Sequence, residues 1–229
     1  MEKLLVCNTK MQLTIDEVFK LIKSLDKIDN KNFILCPSIL YLTLFANKKY
    51  SLCSPNFSSY IDSNHTGEVS ISQLKGIGVK YALIGHLDMR RFEDDNIINK
   101  KAKLAIKNDI IPIICIGETL EEKSMLKTEK VLKKQIISAL RDLSLDKVLL
   151  AYNPGWNITI RDKDDIEEII KFIKNIVELN YKYDKIKVIC GDITEKNIKA
   201  FNEIETLDGF LTSSTDFSCL NDMIEVIGV

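Results

Sequence analysis

Short apolar runs, each ended by a polar residue, a glycine or a proline, recur along the whole chain and alternate with stretches whose apolar residues fall three and four apart. The runs cover residues 3–7, 33–36, 51–53, 81–84, 110–115, 147–152, 187–190 and 209–212. In most of them apolar residues follow one another without alternation, which predicts strands covered on both faces, as in a parallel sheet. Between them, Thr14 and Glu17 make a capping-box pair ahead of Val18, Ile22 and Leu25. Further helices are predicted through 40–45 after Pro37, at 70–76, 95–107, within 120–140, and at 195–202 and 217–226. The clearest starts at Asp162, where Ile166, Ile169, Ile170, Ile173, Ile176 and Val177 form one stripe. Asp164, Asp165, Glu167 and Glu168 favour the positive N-terminal end of that helix.

Strands alternating with helices require parallel strands joined by crossovers. No linker or shift of composition divides the units, so the expectation is a single α/β domain over residues 1–229, built as a (β/α)8 barrel. A doubly wound open sheet is the alternative. The stretch that organises the rest is 81–91, YALIGHLDMRR: a buried strand stops at Gly85 and delivers His86 at the end where chemistry sits in α/β folds.

Composition narrows the function classes. Net charge is −1, with Lys and Arg spread along helix faces, so neither nucleic acid nor a membrane surface is an expected partner. The run 110–116 contains Pro112 and is too short to span a bilayer, and a cytosolic protein is expected. Six cysteines show no C-x-x-C pairing and only His65 and His86 add imidazole, so no metal is expected. The dinucleotide and Walker signatures are absent, so neither NAD nor ATP is indicated. A small-molecule ligand fits best. Residues 54–68 form a long polar loop of the kind that is usually functional when it occurs in a compact domain.

Asn8-Thr9-Lys10-Met11, Thr66-Gly67-Glu68-Val69, Gly85-His86, Cys115-Ile116-Gly117-Glu118 and Ala151-Tyr152-Asn153-Pro154 occur in that order, nearly end to end. With these landmarks the chain resembles the triosephosphate isomerase family. The resemblance implies a closed barrel that interconverts triose phosphates without a cofactor. It also implies a homodimer in which the loop of Thr66 and Gly67 enters the neighbouring subunit. His86 matches the family's neutral electrophile. Lys10 matches the lysine that binds the anionic substrate, Asn8 the asparagine beside it, and Asp88 stands at the glutamate that pairs with that lysine.

Several positions depart from the family. Its catalytic base is the glutamate of Ala-Tyr-Glu-Pro, and here that position is Asn153. An amide has no basic lone pair at neutral pH. Deamidation through a cyclic imide is closed to it because Pro154 has no N–H. The family's Tyr-Gly-Gly-Ser after strand seven becomes Cys190-Gly191-Asp192-Ile193, which places a carboxylate near the phosphate position. The Gly-Gly after strand eight becomes Ser213-Ser214, and the lid reads NITIR at 157–161 without glycine, with Arg161 or Lys163 as its cations. The expectation is a family barrel whose isomerase activity is lost or strongly reduced, with a phosphorylated or other anionic small molecule as ligand. Two alternatives stay open: an isomerase with a relocated base, Asp192 or a water, and a non-catalytic ligand- or protein-binding barrel.

Overall fold

Eight parallel strands close on themselves in sequence order: β1 (Leu4–Asn8), β2 (Phe33–Cys36), β3 (Ser51–Ser54), β4 (Tyr81–Ile84), β5 (Ile111–Ile116), β6 (Leu149–Tyr152), β7 (Lys187–Cys190) and β8 (Gly209–Thr212). β8 pairs back to β1, with Leu5 opposite Phe210 and Cys7 opposite Thr212, so the sheet is a (β/α)8 barrel and not the open alternative. The computed structural model describes residues 2–228 except 27, 29, 62, 63 and 157–161.

The helices are α1 (Ile15–Leu25), α2 (Ile71–Gly76), α3 (Asp95–Lys107), α4 (Leu120–Ser124), α5 (Thr128–Leu140), α6 (Lys163–Tyr181), α7 (Ile198–Asn202) and α8 (Phe217–Val226). Their starts are set by side chains that satisfy the first N–H groups. The Glu17 carboxylate accepts from the Thr14 N–H at 2.8 Å, and Asp94 accepts from Asn96 and Ile97 at 3.0 and 2.9 Å.

Three elements differ from the sequence pattern. The helix expected after Pro37 is a 3-10 helix, Ile39–Phe45, whose two buried side chains, Leu42 and Phe45, stand three apart as that tighter coil requires. The stretch 120–140 is two helices separated by Leu126, which has φ +55° and is solvent-exposed beside exposed Met125 and Leu120. With no surface there to bury an apolar face, nothing holds one continuous helix together. α7 starts at Ile198 instead of 195, because Asn197 Oδ1 accepts from the Thr194 N–H at 2.8 Å and closes a turn first.

The core has two shells. Inside the barrel sit Val6, Ile34, Leu83, Ile113, Leu149, Ile189 and Leu211, together with Cys36, Cys53 and Cys115. Outside it, Leu5, Phe33, Ile84, Ile114 and Leu150 pack against Ile98, Leu132, Ile136, Ile166, Ile170 and Ile173 of the helices. Each such side chain contributes about 1.5 to 3 kcal/mol by leaving water. Five of the six cysteines are buried free thiols, and burial pushes Cys7 and Cys115 up to about 12, which leaves them with little thiolate character. Among the described residues no helix is long and apolar enough to cross a membrane.

Candidate functional site

Strand alternation decides which side chains reach the mouth of the barrel. Val6 and Ala151 point inward, so Asn8 and Asn153, two residues on, continue the inward series past the strand ends. His86 breaks that rule. Ile84 packs outward against the helices, and simple alternation would send His86 the same way. Gly85 lies between them at φ +67°, and this left-handed turn brings the imidazole to the mouth. Lys10 and Asp192 are also left-handed, at φ +50° and +52°, conformations that cost non-glycine residues about 1 to 3 kcal/mol and cluster at functional sites.

Asn8, Lys10, His86, Asn153, Asp192, Thr212 and Ser213 line one small pocket at this end. Its volume is about 20 Å³, close to the space of one water. Of the sequence-derived candidates, Asn8, Lys10, His86, Asn153, Asp192 and Ser213 therefore converge. Gly191 lies beneath Asn153: a Cβ there would overlap the Asn153 Oδ1 and lie 2.9 Å from its Cγ. Gly117 allows a similar approach from β5, since a Cβ would stand 2.6 Å from Pro154 Cα. The Asn153 backbone is tied down by its N–H donating to Ile116 O at 2.8 Å.

Asp88 does not pair with Lys10. The turn after β4, closed by Met89 and Arg90 N–H groups donating to His86 O at 2.7 and 3.0 Å, folds Asp88 back onto the imidazole. Its Oδ2 lies 3.3 Å from His86 Nδ1, and its backbone N–H donates to the same nitrogen at 3.3 Å. The shorter side chain serves the histidine it follows. Burial lowers the His86 pKa, Asp88 opposes that shift and Lys10 adds to it, so the ring is held neutral near pH 7. Arg90 fixes the same turn, with Nη1 on Asp95 at 2.8 Å and Nη2 donating to Cys115 O at 2.9 Å.

Four N–H groups at the ends of β7 and β8 are used internally. Gly191 donates to Tyr152 O, Ile193 to Leu211 O, Thr194 to Asn197 Oδ1, and Ser214 to Thr212 Oγ1, at 2.8, 3.2, 2.8 and 3.2 Å. Ser214 is absent from the pocket lining, and its carbonyl accepts from Cys7 Sγ at 3.1 Å. Asp216 occupies the N-terminus of α8, accepting from Ser218 N at 2.8 Å.

The NITIR segment at 157–161, with Arg161, lies outside the described residues. Lys163 pairs with Glu203 at 2.7 Å. Just before that segment, the buried Glu118 accepts from Tyr152 OH and Trp156 Nε1, both at 3.2 Å. Sequence reasoning gave no role to this network or to Thr212. A glutamate two residues beyond the buried strand β5 was the available signal for the first, and strand alternation placed nothing special on the second.

The loop after β3 is anchored at its base by Ser58 N–H donating to Val69 O at 2.8 Å, and the Tyr60 and His65 rings stack at 3.6 Å. Thr66 and Gly67 at its tip are exposed, with Gly67 at φ +86°. Gly67, Val69, Phe57, Ile39 and Lys10 line a groove of about 430 Å³. Met11, Leu40 and Ile61, on the segments that flank it, are exposed apolar side chains.

A sequence model of triosephosphate isomerase matches residues 3–227. Among curated relatives, a triosephosphate isomerase of Mycoplasmopsis pulmonis is 35% identical over 92% of this chain and 92% of its own length. One of Buchnera aphidicola subsp. Baizongia pistaciae is 34% identical over 95% of each, and one of Thermodesulfovibrio yellowstonii 30% identical over 96% of each.

Proposed function

The chain belongs to the triosephosphate isomerase family, and from that premise we propose that it is a member in which efficient isomerisation of triose phosphate is lost or very largely lost. One observation carries the reading: the side chain that β6 delivers to the mouth is the carboxamide of Asn153. Isomerisation needs a base for the carbon-bound proton, an electrophile on the carbonyl and an anion site. In this reading Lys10, Asn8 and His86 retain the polarising side. The base is missing, and its loss costs roughly 10²- to 10⁴-fold, or about 3 to 5 kcal/mol in the barrier. Binding of the phosphate is weakened as well, since Asp192 sets a carboxylate among Gly191, Ser213 and Ser214 where a dianion would sit, and the Gly191 and Ser214 N–H groups are used internally. Two unit charges 4 Å apart repel by about 1 kcal/mol in water, and by more when sheltered. No cofactor enters this chemistry. The test is conversion of glyceraldehyde 3-phosphate by the purified protein, coupled to reduction of dihydroxyacetone phosphate. Activity should be detectable only at enzyme concentrations at least about 100-fold above those a family member with the glutamate needs.

The same reading holds that two copies associate through the loop of Thr66 and Gly67. An exposed tip beside a groove flanked by Met11, Leu40 and Ile61 supports a partner seated there. Mass measured by light scattering at micromolar concentration should be twice the 26.1 kDa of one chain. Gly67→Trp, which strains the φ +86° tip and enlarges it, should shift the protein to monomer. A monomeric wild type would remove inter-subunit completion from the account.

A further inference from the structure

We propose that Asn153 makes this mouth a receptor for the carboxylate of a short α-hydroxy acid, a singly charged ligand that is held and not converted. The inference rests on the reading under Proposed function, in which Asn153 supplies no base. Its ground is a set of four donors with no acceptor among the described residues. Asn8 and Asn153 are 5% and 8% exposed, so both carboxamides are polar groups withdrawn from water. The Asn153 Oδ1 lies against Gly191, which makes Nδ2 the end of the amide turned away from β7. The Asn8 Oδ1 accepts from the Lys10 N–H at 3.1 Å, and this likewise leaves its Nδ2 to the pocket. Neither amide nitrogen makes a hydrogen bond to a described residue, and the Lys10 ammonium has no ion pair among them.

His86 is the fourth. The Asp88 N–H donates to its Nδ1 at 3.3 Å, so the ring proton sits on Nε2 and the imidazole enters the pocket as a donor. A sheltered donor without an acceptor costs free energy until an acceptor arrives. A carboxylate supplies about four lone-pair sites on two oxygens, and so matches the four donors in number. A glutamate at 153 would bring an acceptor and a negative charge to the same place. The carboxamide brings a donor and no charge.

Charge and size set the class of ligand. Lys10 and Asp192 are the charged groups lining the pocket, and Asp88 stands behind His86. A monoanion gains a charge-assisted hydrogen bond from Lys10 that a neutral amide of the same shape does not. A dianion gains less than it loses: the attraction grows in proportion to charge and Asp192 offsets part of it, whereas the cost of stripping water grows as the square of the charge. The space of about 20 Å³ takes one oxygen of a planar group. Asp192 and Ser213 line the same pocket, and each has oxygens that can accept from a hydroxyl on the carbon next to the carboxylate.

The experiment is calorimetric titration of the intact protein near neutral pH with glycolate, its neutral isostere glycolamide, and inorganic phosphate. The Kd for glycolate should be at least about 10-fold below those for the other two. Asn153→Asp keeps the size and replaces the donor with a charged acceptor, and should raise the Kd for glycolate by at least about 10-fold. Lys10→Met should raise it by about 10-fold and change that for glycolamide by less than about 2-fold. Circular dichroism establishes that each variant is folded, and the ranking of the three ligands on the unmodified protein needs no variant. Glycolamide binding as well as glycolate, phosphate binding more tightly than either, an unchanged affinity in Asn153→Asp, or no saturable binding of glycolate each overturns the proposal. The reading under Proposed function fails on a different result, an ordinary rate of triose-phosphate turnover; a protein without that turnover that fails these titrations removes this inference alone.

Discussion

Replacing Lys101 with methionine should lower the free energy of unfolding by about 3 to 5 kcal/mol, read from urea denaturation at fixed protein concentration. Lys101 on α3 and Glu93 just before it are nearly inaccessible, with side-chain exposures of 4% and 9%, and Nζ lies 2.6 Å from Glu93 Oε1. The ammonium also donates to Asn56 Oδ1 at 2.8 Å, and Asn56 Nδ2 donates to Glu93 Oε1 at 3.1 Å. Glu93 Oε2 has no partner among the described residues, so the carboxylate already lacks part of its solvation. Removing the cation leaves a buried charge uncompensated, which is where the large cost arises. Adding Glu93→Leu should recover more than half of the loss, because an apolar pair of similar volume avoids both desolvation penalties. The cluster joins α3 to the Asn56–Phe57 segment that starts the long loop, so the single variant should also loosen the base of that loop. A loss below about 1 kcal/mol would contradict a desolvated Lys101–Glu93 pair.

Asn153→Glu should raise kcat for glyceraldehyde 3-phosphate by about 10- to 100-fold and still leave it below that of an ordinary family member. A restored carboxylate regains part of the roughly 10²- to 10⁴-fold that a positioned base contributes. Two features of the mouth cap the gain. The present carboxamide already occupies the place of a Gly191 Cβ, so a side chain one methylene longer must extend into a pocket of about 20 Å³. Asp192 lines that same pocket and repels both the new carboxylate and a phosphate. Asp192→Gly with Ile193→Ser should therefore add to the effect of Asn153→Glu, mainly through a lower KM for triose phosphate.

The barrel was legible in the sequence because its signals are periodic. Short apolar runs without alternation, bounded by glycine, proline or polar residues, suit strands covered on both sides, and the stripe from Ile166 to Val177 has one helical face. Asn8 and Asn153 were legible through the motifs of the family resemblance, and the inward series of β1 and β6 explains why both reach the mouth. The direction of His86 does not follow from such a series, because it depends on the left-handed Gly85, which a residue pattern marks as a turn without giving its sense. The partner of Asp88 was misread for a related reason: the turn 86–90 is closed by backbone bonds to His86 O, and their geometry chooses the histidine over Lys10. At the 3-10 helix Ile39–Phe45 an apolar spacing of three fits either coil, and tertiary packing decides. The Glu118 network joins residues 34 and 38 positions apart, beyond the reach of any local pattern.

The most direct measurement is kcat/KM for glyceraldehyde 3-phosphate with this protein and a family member that carries the glutamate, side by side under one set of conditions. With Asn153 at the end of β6, the account predicts a value at least about 100-fold below that of a member carrying the glutamate. Two values within about tenfold of each other would contradict it, and would mean that another group in this mouth does the work of the missing base at full speed.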